Sequence, residues 1–255
     1  MATINISANI EQARSYLSNV QRKQLPFATS FALNKTAQKV KEAQQKEMRD
    51  VFDRPTPFTL NSIFIKSSNK SNLTATVGLK SFASKGNAAA KYLQAQIAGG
   101  ERRLKGYEVA LRSIGVLPEG YFTVPGEAAK MDLFGNIQRG QIVQILAYFR
   151  ANRETLSNSN DKMLAKLKRG TKKRTGIQYF VGAPGDGKAP LGIWQKNYAG
   201  KFTGPFKSLQ PVLIFVQSSN YEKNYDFKYV AELAVKKNFD DEFRAALEIA
   251  LMNAR

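Results

Sequence analysis

Residues 73–79, LTATVGL, alternate apolar and polar side chains in strict period two, which commits this part of the chain to a half-buried strand. Upstream, FTLNSIFIKSS is rich in β-branched and aromatic residues, and the polar SSNKSN lies between the two runs. Residues 58–81 are therefore expected to form a β-hairpin. The period changes on either side. Ile10, Ala13, Leu17 and Val20 fall at helical spacing, and after Leu25 the imino acid Pro26 suits the first turn of a second, longer helix. In that helix Phe27, Phe31, Ala37, Val40, Met48, Val51 and Phe52 form an interrupted apolar stripe. Pro55 and Pro57 end it, because neither can continue a helix.

Helical character returns over residues 87–113, with Leu93, Ile97, Leu104 and Leu111, and Gly99-Gly100 is expected to break it. Residues 115–135 carry several Gly and Pro and are read as surface loop. Residues 137–149 form a further helix through Ile142, Ile145, Leu146 and Phe149. From 152 to 175 apolar residues are scarce and cations frequent, which reads as a mobile loop. Strands are expected at 177–181, around Gly192-Ile-Trp194 and at 212–216. Asp226 is placed to cap a final helix in which Val230, Leu233, Phe239, Phe243, Leu247 and Leu251 recur at helical spacing.

This order lacks the strict alternation of a doubly wound fold, so the expected class is α+β. The hairpin and the late strands are expected to share one antiparallel sheet, packed against the long N-terminal helix and the C-terminal amphipathic helix. Residues 1–84 and 176–255 would then be an α+β core domain, 85–150 a helical insertion and 151–175 a basic flexible loop.

The chain contains neither Cys nor His. Disulfides, thiolate zinc sites and thiol nucleophiles are excluded, and the commonest general base and transition-metal ligand is missing. The reading is therefore non-enzymatic, without a cofactor. No apolar run is long enough to span a bilayer, and MATINISANIEQARSY does not read as a secretory signal. The chain is expected to be made in the cytoplasm. Its net charge of +19 points to a polyanionic neighbour.

Two stretches invite a sharper reading. GAPGDGKA (182–189) matches G-x-x-x-x-G-K from Gly182 through Gly187 to Lys188, yet Ala189 stands where a magnesium-holding Ser or Thr belongs. Pro190 also opposes the helix that should follow, so the stretch is read as a turn between strands. In KLKRGTKKRTG (166–176), Lys166, Lys168, Arg169, Lys172, Lys173 and Arg174 are the candidate contacts to nucleic acid or to an acidic partner, with Arg150 and Arg153 upstream. Tyr179, Phe180 and Trp194 would stack on bases if exposed, but alternate aromatics on a strand are usually core. The acidic run Asp240-Asp241-Glu242 lies among Lys236, Lys237 and Arg244 and reads as a solvated helix face.

The segment LPFATSFALNKTAQKVKEAQQKEM followed by FDRPTPFTLNSIFIKSS resembles virion-assembly proteins of tailed bacteriophages, the minor tail protein Z or tail-completion type. APLGIWQK, LQPVLIFV and the final amphipathic helix are similar to a later segment of the same proteins, while nothing in residues 85–160 carries the likeness. The residues that carry it include Asn34, Lys35, Arg54, Pro55, Gly192, Ile193 and Trp194. The resemblance implies a structural head-tail connector in the virion, at the head–tail junction or upper tail, with several copies in a ring around the DNA channel. It implies portal or tail proteins as partners, no membrane and no catalytic residues. The competing reading is a nucleic-acid-binding accessory of packaging or replication without sequence specificity, for which six phosphate contacts imply a log–log salt slope of about −5.

Overall fold

The computed structural model describes residues 2–8, 19–84, 86–149, 167–173, 175–198, 207–217 and 220–253. Its class is α+β, and it divides into two compact units, Met1–Arg102 with Asn220–Arg255, and Arg103–Ser219.

The first unit opens with β1 (Thr3–Ser7), followed by the 33-residue helix α1 (Asn19–Val51). A single helical turn, Pro57–Leu60, is capped by Thr56, whose hydroxyl accepts from the Thr59 amide at 3.2 Å. Strands β2 (Ile63–Lys66) and β3 (Thr74–Leu79) form the expected hairpin. β1 pairs with the other side of β3, so the antiparallel order is β1-β3-β2. Period-two alternation buries Ala75, Val77 and Leu79, which meet Leu33, Ala37, Val40 and Met48 from α1. Each Val, Leu or Met among them contributes about 1.5–3 kcal/mol on removal from water, and each Ala about 1 kcal/mol or less.

The second unit begins with α2 (Gly106–Ser113), β4 (Phe122–Pro125) and α3 (Arg139–Tyr148), then adds β5 (Gly176–Gly182), β6 (Gly192–Tyr198) and β7 (Leu209–Val216). The sheet is antiparallel in the order β4-β7-β6-β5, with a bulge at Ile193/Trp194. Leu111, Leu117 and Ile145 pack against Tyr179, Ile193, Leu213 and Phe215. The fully buried Glu108 carboxylate accepts from the Lys105 amide (2.6 Å), the Thr123 amide (2.8 Å) and the Thr123 hydroxyl (2.7 Å), tying α2 to β4.

The chain then completes the first unit. Asn220–Tyr221 pairs with Gly100–Glu101, and α4 (Phe227–Met252) is capped by the Asp226 side chain. Alanines let α1 and α4 approach closely, with Ala28 and Ala32 meeting Ala246 and Ala250. Buried Gln44 donates to the Phe227 carbonyl (2.7 Å) and accepts from the Tyr225 hydroxyl (2.6 Å).

Several expectations are corrected. The hairpin and the late strands do not share a sheet, because β5, β6 and β7 form a separate sheet completed by β4, which pairs with β7 and lies inside a segment read as loop. Strands β5, β6 and β7 therefore group with residues 103–149 rather than with residues 1–84, whereas residues from Asn220 onward stay with the first unit, and the middle segment is not purely helical. Residues 3–7 form a strand, and Pro26 lies inside α1 rather than at its start. Most of the helix expected over 7–20 falls on residues 9–18, outside the described residues.

Candidate polyanion-binding face

In the antiparallel register of β5 and β6, Gly176 faces Tyr198, Gln178 faces Lys196 and Phe180 faces Trp194. Strand alternation directs Tyr179 and Ile193 into the core and sends Gln178, Lys196 and Tyr198 to the opposite face. There the Tyr198 hydroxyl donates to Gln178 Oε1 at 2.7 Å, and the Lys196 ammonium lies 5.6 Å from the ring centroid. The basic run supplies a second cation, since Lys168 Nζ sits 5.8 Å from the same ring. The favourable ring quadrupole offsets part of the cost of drawing two like charges together.

The close approach of the basic run to the sheet depends on a glycine. A Cβ on Gly176 would overlap the Lys168 carbonyl oxygen, so the backbone of the basic segment rests directly on the first residue of β5. Residues 167–169 are helical there, and Gly170 with φ +66° turns the chain onward. Lys168, Arg169, Lys172 and Lys173 are all exposed, and among the described residues no carboxylate pairs with them. Lys166, Arg174, Arg150 and Arg153 lie outside the described residues. Between residues 162 and 207 the sequence holds eleven Lys and Arg against one acid, Asp186.

The phosphate-loop imitation is a hairpin connection between β5 and β6. Gly185, Asp186 and Gly187 have φ of 71°, 56° and 80°, and the turn spends its amides internally. Gly187 donates to the Ala183 carbonyl, Lys188 to Gly185 and Ala189 to Pro184, at 3.1–3.2 Å. No helix follows, so neither amides nor a helix terminus face a phosphate. The aromatics singled out as stacking candidates are mostly occupied elsewhere. Tyr179 is 2% exposed, edge-on to Tyr148, with burial pushing its phenol up to about 12. Trp194 is 7% exposed and donates its indole N–H to the Pro190 carbonyl, while Phe180 is half-buried.

Sequence reasoning missed Lys196 and Tyr198. A single Lys in WQKNY makes no charge run, and only β5–β6 pairing together with the seat on Gly176 brings it beside Lys168.

Among the described residues no group of three or more carboxylates could hold a metal, and Asp240 and Asp241 are exposed on α4. An open groove of about 520 Å³ in the first unit is lined by Ala2, Ile4, Ile97, Phe227 and Tyr229. Its carboxylates are committed, Asp226 to Lys223 at 2.6 Å and Glu232 to Lys228 at 3.6 Å. The Lys223 ammonium and the Tyr229 amide hold the Asp226 carboxyl below the usual carboxylate range.

The residues behind the phage-protein resemblance have structural roles. Asn34 accepts from the Ser68 amide (2.8 Å) and donates to the Ser68 carbonyl (3.1 Å), fixing the β2–β3 connection to α1. Lys35 lies 5.5 Å from the Phe31 ring centroid. Arg54, at φ 46°, forks onto Asp53 just ahead of Pro55. Ile193 and Trp194 are buried, and a Cβ on Gly192 would overlap the Leu213 carbonyl oxygen.

Comparison with known protein families, curated proteins and solved structures found no match to this chain.

Proposed function

We propose that this chain is a non-enzymatic structural protein of a tailed-bacteriophage virion, acting in several copies at the head–tail junction or upper tail. The observation that carries this reading is that Asn34 and the Gly192-Ile-Trp194 segment, which bear the resemblance, are joints of the fold. A likeness carried by joints concerns shape, and shape is what an assembly protein contributes. The net charge of +19 and the exposed cations around 168–173 suit a position beside packaged DNA. A ring would require a heterologous interface that closes on itself.

The alternative, an accessory protein that holds nucleic acid during packaging or replication, rests on the basic face itself. Loss of expression separates the two. The virion reading predicts filled heads and tails that accumulate unjoined and are joined again by the supplied protein. Normal particles lacking the chain would contradict it.

A further inference from the structure

We infer that Tyr198, Lys168 and Lys196 form a clamp for the phosphodiester backbone of duplex DNA, continued by Arg169, Lys172 and Lys173. The choice of DNA rests on the proposed virion role, whereas the clamp rests on geometry.

Two ammonium groups from distant parts of the sequence converge on one aromatic ring, at 5.8 and 5.6 Å from its centroid. The ring is itself held, since its hydroxyl donates to Gln178 at 2.7 Å. Long lysine side chains lose conformational freedom when they bind, and packing them on a fixed ring reduces that loss before the phosphate arrives. Among the described residues no carboxylate pairs with Lys168 or Lys196.

The chemistry around the clamp favours phosphate over an acidic protein. Protein interfaces are anchored by buried apolar and aromatic side chains. Of the exposed large apolar residues of this unit, Leu209 is the register partner of Lys196, whereas Met131, Leu133 and Val143 lie on other segments. Beside Leu209 and the half-buried Phe180, the cations of 168–173 and Lys196 are exposed and have no paired carboxylate among the described residues, which matches backbone contact without base readout. The hairpin-tip Lys188 is not needed for it.

The test is fluorescence anisotropy of a labelled duplex with the full chain across a salt series. Contacts from Lys168, Arg169, Lys172, Lys173 and Lys196 give a log–log slope of about −4.5. K168Q/K196Q should flatten that slope by about 1.8, whereas K236Q/K237Q, which removes equal charge from α4, should leave it unchanged. Tyr198→Leu keeps the charge count, so it should weaken binding about two- to fivefold with the slope unaltered.

Equal flattening by both double variants would overturn the clamp, since general charge would then suffice. Absence of duplex binding would overturn it too, as would binding of polyglutamate in preference to DNA. None of these results bears on whether heads and tails join, so the clamp and the virion role fail separately.

Discussion

At the residue scale, facing glycines at one end of the β5–β6 hairpin make opposite predictions. Gly182 and Gly192 are register partners, yet a Cβ on Gly182 meets only the Phe180 ring at 3.8 Å, whereas on Gly192 it strikes the Leu213 backbone. Gly192→Ala should cost about 2–3 kcal/mol in urea denaturation, and Gly182→Ala should be near neutral. At the other end, Gly176→Ala removes no charge but displaces the Lys168 carbonyl, so it should weaken duplex binding.

The buried phenols set an alkaline limit. Burial raises Tyr179 to about 12 and pushes Tyr225 up as well, with nearby Glu47 adding to the latter. A group whose folded pKa lies above its unfolded value stabilises fully below the unfolded pKa and loses that contribution as pH rises. Stability should therefore fall from about pH 10 upward. Lysine deprotonation relieves repulsion in the same range and acts in the opposite sense, so the informative comparison is with Tyr179→Phe. From pH 9 to pH 11 the urea midpoint of that variant should fall less, or rise more, than that of the wild type.

At the scale of elements, α1 is held at both of its partners by polar side chains as well as by packing. Asn34→Ala strips the Ser68 amide and carbonyl of their partner and should cost about 1–3 kcal/mol, read from the denaturation midpoint. Ala246→Leu overfills the alanine contact with Ala28 and Ala32 and should cost a similar amount.

The elements legible in the sequence were those with a local signal. The alternation of 73–79, the apolar run at 212–216 and the Asp226 cap each state their structure within a few residues. β4 was missed because four residues, FTVP, among Gly and Pro show too little alternation. The grouping of sheets was missed for a different reason. Pairing β4 with β7 spans some ninety residues of chain, and nothing local chooses that partner over the hairpin. The same non-local pairing hid Lys196 and Tyr198, while the contiguous basic run was plain.

At the scale of the whole molecule, the net charge of +19 is what the proposed place beside packaged DNA draws on. No helix among the described residues is long and apolar enough to cross a membrane. Among the described residues, β1 and β2 are the edge strands of one sheet and β4 and β5 those of the other. Such edges are available to neighbouring subunits in an assembly. Where the chain resides decides between the virion role and its alternative. Quantitative mass spectrometry of purified particles, with cryo-electron microscopy to locate the density, tests it most directly. The account predicts a fixed low copy number and density at the neck or upper tail; absence of the chain from finished particles would contradict it.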